Sequence, residues 1–142
     1  MAEARVGELR DTRVDVKVVL GGLWTAMLFV FAYVDIFGFW REDVINGALK
    51  GEVPGPGFEI GQTFLALTTV YILVPSLMVA VSLLAPARWN RRANVFVSLV
   101  YALTVVGSAV GETWAYYFLG SAVEVGLLLL IARTAWRWPR VA

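Results

Sequence analysis

Glu124 lies alone inside the apolar run 116–138, YYFLGSAVEVGLLLLIARTAWRW, and is the side chain best placed to do chemistry in this 142-residue sequence. Such a run suits a helix that crosses a bilayer, which takes ~20 residues rising ~1.5 Å each. An acidic group at that depth costs roughly 2.5–3.5 kcal/mol on insertion scales, so it is expected to face a protein interior or a wet cavity rather than lipid. Asp35, near the end of an earlier apolar run, is the second such group. Hydroxyls and amides recur at helical spacing between them. Asn94, Ser98, Tyr101, Thr104, Ser108 and Glu112 are separated by four, three, three, four and four residues. At ~100° per residue they fall within an arc of about 120°. Glu59, Gln62, Thr69 and Ser76 form a weaker stripe, and Tyr117, Ser121, Glu124 and Leu128 share a face.

The chemistry open to these residues is narrow. The sequence has no Cys and no His, which excludes disulfides, thiol catalysis, iron–sulfur clusters, the usual zinc, copper and haem ligands, and histidine proton shuttling. No cofactor and no metal are expected. An enzymatic reading requires a lipid or quinone substrate and acid–base work by Glu124 with Tyr101 or Tyr117; the absence of any nucleophile motif argues against it. What fits best is the binding or passage of a small cationic or protonatable solute, or of protons. The candidate pocket residues are Glu124, Asp35, Tyr101, Thr104, Ser108, Glu112, Thr69, Ser121 and Tyr117.

Four apolar segments must position those residues. The composition is 59% hydrophobic and 16% charged with a mean hydropathy of +0.72, against ~45–50% and ~25% for a soluble domain. The expected fold is therefore an all-α membrane protein, a four-transmembrane-helix bundle with spans at about 18–39, 58–84, 93–111 and 116–138. Residues 1–17 read as a cytoplasmic N-terminal tail and 18–138 as one transmembrane domain. Thr12 with Asp15 resembles a capping box, which starts the first helix there. Residues 44–49 are read as a short surface helix in a polar loop, and the second span places Glu59 in its first turn. Pro75 inside that span predicts a kink and leaves the Tyr71 carbonyl without its usual N–H partner. The third span carries Gly107 and Gly111 as a GxxxG pair, and the first carries Gly22 and Ala26 as a small-residue face. The segment ARWNRRAN reads as a tight basic connector before the third span.

Charge sets the expected orientation. Ten of the twelve basic residues fall in the N-tail, in the connector around Arg88, Arg91 and Arg92, and at the C-terminal end; only Arg41 and Lys50 fall on the other side. The positive-inside rule then predicts both termini in the cytoplasm, with Trp40 and Trp114 at the outer interface and Trp89, Trp136 and Trp138 at the inner one. The outer side is acidic, through Glu42, Asp43, Glu52, Glu59 and Glu112. No basic run of nucleic-acid type is present. Matching depths sets Glu124 level with Thr68, Thr69, Tyr101 and Thr104, where hydrogen bonds to its carboxyl are expected, with no Lys or Arg at that level.

Several short motifs point to a family. Leu23-Trp24, Tyr33-Val34-Asp35-Ile36 within 29–37, Pro75, Arg91-Arg92-Ala93-Asn94, Glu124 and the terminal Ala135-Trp136-Arg137-Trp138-Pro139 carry the resemblance. With them the chain resembles a family of small bacterial four-helix membrane proteins catalogued as a domain of unknown function, with a fainter similarity to DoxX-like four-helix proteins. The resemblance implies a four-helix bundle in the bacterial inner membrane and makes Asp35 and Glu124 part of the family pattern; it implies no activity. Two readings of different class follow. One is a non-enzymatic membrane protein with an outward-facing acidic pocket. The other is a non-catalytic accessory subunit of a larger membrane complex, or a homo-oligomer, docked through a small-residue face.

Overall fold

Asp15 starts the first helix. Its carboxylate accepts the backbone N–H of Lys17 at 2.8 Å, satisfying one of the donors that a helix N-terminus leaves unpaired. In the computed structural model, which describes residues 11–139, α1 spans Val16–Gly38. The helix therefore begins just after Asp15, not at Thr12, because Asp15 is itself the cap. The readings made for the tail at positions 2–10, and the side chains Arg5, Arg10 and Arg140, lie outside the described residues.

The polar loop does contain a short helix, α2, at Glu42–Lys50. Glu42 and Asp43 occupy its first turn and Lys50 its last, which complements the helix dipole at both ends. It stops at Gly51, whose φ of +75° is the left-handed cap conformation that only glycine adopts without cost. The chain then turns tightly through Pro54 to Gly57. Val53 N–H donates to the Phe58 carbonyl at 2.8 Å and Ile60 N–H to Gly51 at 2.7 Å, with an isolated antiparallel bridge between Glu52 and Glu59. That pairing engages the backbone of 58–60, so the second long helix, α3, starts at Gln62 and spans Gln62–Leu84. Glu59 thus belongs to the loop, not to the first helical turn that the apolar pattern predicted.

Two further helices complete the fold, α4 at Ala87–Ser108 and α5 at Ala115–Trp136. The expected basic connector is instead the first two turns of α4, which puts Arg88, Arg91 and Arg92 on a helix directly after Pro86. At the other end α4 stops at Ser108, and Gly111 sits in the following turn with φ +86°. The GxxxG pair therefore does not form a helix face. Among the described residues α1, α3 and α5 are long and apolar enough to cross a membrane, which is consistent with a membrane protein. The basic first turns of α4 keep it out of that set.

The long helices run alternately up and down. α1 packs on both α3 and α5, α5 packs on α4, and α3 meets α4 more sparingly. Buried apolar side chains gather at the half where α3 passes into α4: Leu20, Trp24 and Met27 of α1, Met78 of α3, and Leu128, Ile131 and Ala135 of α5. A buried polar network pins this half. The Asn94 side-chain oxygen accepts from Trp24 Nε1 at 2.7 Å and from Ser82 Oγ at 3.1 Å, joining α1 and α3 to α4. Its amide donates to the carbonyl and side-chain oxygens of Asn90 at 2.9 and 2.7 Å. Asn90 in turn donates to the Ser82 and Val81 carbonyls at 2.7 and 3.1 Å, capping the last turn of α3.

Pro75 is buried within α3. Proline carries no N–H, so the Tyr71 carbonyl four residues earlier loses its helical donor. The Tyr101 hydroxyl fills the vacancy, donating to that carbonyl at 2.6 Å, and the rings of Tyr71 and Tyr101 stack with centroids 4.8 Å apart. A structural consequence is testable. Tyr101→Phe is expected to destabilise the fold by about 1–3 kcal/mol, the cost of an unsatisfied buried carbonyl. In a Pro75→Ala background the restored N–H takes that carbonyl, and the same substitution should cost clearly less. A double-mutant cycle by unfolding in detergent reads the coupling, and equal costs in both backgrounds would refute it.

Candidate functional site

The half of the molecule that bears α2 is less tightly filled. A cavity of about 580 Å³ lies there, walled by all four long helices. Phe31, Val34 and Asp35 come from α1; Phe64, Thr68, Tyr71 and Ile72 from α3; Thr104, Val105 and Ser108 from α4; and Tyr117 and Glu124 from α5. Within each helix successive positions are one, three, four or seven apart, so the lining residues of each helix cluster on one side of it. Phe58, from the loop before α3, closes one side. A wider space of about 730 Å³ outside it includes Glu59, Gln62 and Leu67 and shares Phe58, Phe64, Thr68 and Tyr71 with the cavity as a common wall.

A glycine brings the two carboxylates to one site. A Cβ at Gly120, one turn before Glu124, would collide with the Val34 side chain. Its absence lets α1 and α5 approach closely, so that Asp35 next to Val34 and Glu124 on α5 line the same cavity. Glu124 is only 3% exposed, and its Oε1 is buried with no hydrogen-bond partner. The hydrogen bonds expected for it from depth matching are therefore missing at this oxygen.

The reason lies in where the neighbouring hydroxyl protons go. Thr104 Oγ1 donates to the Tyr101 carbonyl at 2.8 Å, Ser108 Oγ to the Val105 carbonyl at 2.8 Å, and Thr68 Oγ1 to the Phe64 carbonyl at 2.9 Å. A hydroxyl has one proton, so in the 2.6 Å contact between Tyr71 and Thr104 the donor is Tyr71. Tyr117 likewise donates to Ser108 at 3.0 Å. Every hydroxyl lining the cavity has committed its proton to another acceptor, and among the described residues no Lys or Arg lines the wall. The polar lining therefore consists of hydrogen-bond acceptors beside two carboxylates.

Of the residues expected at the pocket, Glu124, Asp35, Thr104, Ser108 and Tyr117 meet in this cavity. Tyr101 stands behind it, buried and bonded to the Tyr71 carbonyl. Thr69 turns outward and donates to the Leu65 carbonyl, with Thr68 taking the inward place. Ser121 is buried outside the lining. Tyr71 was passed over as a side chain, although Pro75 four residues later marks its carbonyl as exceptional.

Glu112 is held elsewhere, in a clasp over this end of the molecule. Arg41, at the start of α2, donates to Glu112 at 2.9 Å and to both oxygens of Asp43 at 3.0 and 2.6 Å. The guanidinium also lies over the Trp114 ring, 4.9 Å from its centre. The clasp ties the α1–α2 junction to the α4–α5 turn. The Asp43 carboxyl is held below the usual carboxylate range by its hydrogen bonds to Arg41. For Glu112 partial burial pushes upward, but Arg41 and the Thr113 and Trp114 N–H groups outweigh it and leave the carboxyl lowered.

Carboxyls lowered by folding stabilise at pH values above their ordinary range and lose that contribution as the pH falls through the depressed values. The clasp should therefore hold at neutral pH and release below about pH 4. At neutral pH it is worth about 1 kcal/mol or less, because the pairs are partly solvated. Arg41→Gln should remove this acid-dependent component from the thermal stability curve; a wild-type and variant difference that stays constant from pH 7 to pH 3 would refute the role.

Neither a curated protein nor a solved structure matches this chain. A family model does match, over residues 8–142, and its description is a family of unknown function, DUF6326. Since that match spans nearly the whole sequence, the chain belongs to the DUF6326 family.

Proposed function

We propose that this protein is an integral membrane protein of the bacterial inner membrane in which α1, α3, α4 and α5 all span the bilayer, α3 bends at Pro75, and both termini are cytoplasmic. In this reading the cavity faces outward and binds or passes a small cationic or protonatable solute, or protons. The exposure of large apolar side chains supports four spans. Phe96 and Leu103 of α4 are 70% and 73% exposed, an outer face suited to lipid despite the arginines in the first turns. The orientation is supported by where the basic residues gather. Lys17 starts α1, Arg88, Arg91 and Arg92 start α4, and Arg133 ends α5, with Arg91 lying 5.2 Å over the Trp136 ring. The positive-inside rule assigns that end to the cytoplasm.

The observation that carries the functional reading is the orphaned oxygen of Glu124. A carboxyl retained to knit helices together is hydrogen-bonded to them. This one is buried, bonds to nothing at Oε1, and borders a cavity with a second acidic residue. Ionisable groups in such positions mark solute and proton pathways. Glu124→Gln and Asp35→Asn should each markedly weaken solute binding or acid-driven flux in proteoliposomes while leaving unfolding in detergent no easier than for wild type. Variants that bind and transport like wild type would sink the proposal.

The absence of native cysteine makes the orientation easy to test. Asn46→Cys on α2 should react with a membrane-impermeant maleimide added outside intact cells. Arg137→Cys should react only after permeabilisation, and the reverse pattern would overturn the topology.

A second reading is favoured by one observation. Gly22 is exposed, and a Cβ added there meets nothing within 4 Å. With Ala26 it forms a small-residue face open to another helix, as in an accessory subunit of a larger complex or a homo-oligomer. A stoichiometric partner retained through mild-detergent purification would favour the complex.

A further inference from the structure

The chemistry of the lining narrows what the cavity holds. Thr68, Tyr71, Thr104, Ser108 and Tyr117 have all directed their protons elsewhere. Glu124 Oε1 is buried and unpartnered, and Asp35 borders the same space. Apart from the two acidic groups themselves, the described residues of this site offer acceptors and no free donor. A ligand that itself accepts hydrogen bonds, such as an anion or a carbonyl compound, would leave Glu124 unsatisfied and is disfavoured. A metal cation is poorly served as well, since among the described residues no cluster of three acidic groups is present and Phe31, Phe58, Phe64, Val34 and Ile72 make much of the wall apolar. The complement is a cation that brings several N–H donors on an apolar body.

We propose that the ligand of this cavity is a protonated primary or secondary amine on an aromatic or aliphatic body. Its ammonium N–H groups would pair with Glu124 and with the free lone pairs of the Thr104 and Ser108 hydroxyls. Its body would pack on the aromatic rings, which add attraction for the cation. This rests on the reading of the cavity as an acidic cation site and adds one requirement, that the cation carry donors. A quaternary ammonium has the same charge and fits the same rings, but it cannot satisfy Oε1. Charge-assisted hydrogen bonds are the stronger kind, so the distinction is measurable. The wider space that shares Phe58, Phe64, Thr68 and Tyr71 with the cavity is a ready approach for an amphiphile.

The test uses the full chain in lipid nanodiscs, with calorimetric titration of phenethylamine, its N,N,N-trimethyl ammonium analogue and phenethyl alcohol, each corrected for empty nanodiscs. Phenethylamine at neutral pH should bind at least about tenfold more tightly than the trimethyl analogue and the alcohol. Glu124→Gln should weaken the amine by about tenfold or more and erase its advantage over the trimethyl analogue. Asp35→Asn, at an exposed position, should weaken both cations alike. Equal binding of amine and trimethyl analogue, both lost in Glu124→Gln, would overturn the donor requirement while leaving the acidic cation site standing. Alcohol binding equal to the amine would overturn both. No specific binding of the amine would overturn this inference, and acid-driven proton uptake dependent on Glu124 would then still support the broader reading.

Discussion

A single buried amide holds this fold together at one end. Asn94 receives the indole N–H of Trp24 and the hydroxyl of Ser82 on one oxygen, and passes its own N–H groups to Asn90. Asn90 then caps the carbonyls that end α3. Three helices are thus joined through two residues one turn apart on α4, and every polar group in the chain of bonds is satisfied. Buried polar networks rigidify when complete and destabilise when partial. Most of the buried apolar side chains gather in the half that this complete network pins.

The cavity lies in the other half, and Pro75 shapes its polar character. By removing the donor for the Tyr71 carbonyl, the proline calls in the hydroxyl of Tyr101 from α4. The stacked rings then hold Tyr71 where its own hydroxyl reaches Thr104. Thr104 and Ser108 turn their protons back to α4 carbonyls, as hydroxyls in helices readily do. The protons of the lining hydroxyls are therefore given to acceptors other than Glu124. A backbone defect in one helix is coupled, through one ring stack, to the absence of donors beside a carboxylate on another.

The opposite end is closed by charge rather than by core. Arg41 gathers Asp43, Glu112 and the Trp114 ring and so ties the loop after α1 to the turn before α5. Arg41 is thereby engaged at the rim and does not reach the lining, which leaves the cavity with acidic groups alone.

The sequence by itself determined the long apolar helices, the likeness to a family of unknown function and the two carboxylates of interest, because hydrophobic runs, prolines and isolated charges act locally. Pro75 even marked the Tyr71 carbonyl as needing a partner. Helix ends were less legible: the Asp15 cap, the pairing of 58–60 with 51–53 and the continuation of α4 back to Ala87 each moved a boundary. The GxxxG spacing was misleading because Gly111 belongs to a turn, and the helical stripe of α4 mixed three environments that periodicity cannot separate. Asn94 joins the pinned end, Thr104 and Ser108 line the cavity, and Glu112 pairs with Arg41. Only the tertiary structure decided that Tyr71 and Tyr117 spend their protons on Thr104 and Ser108 rather than on Glu124, since that depends on which side chains the packed helices bring together.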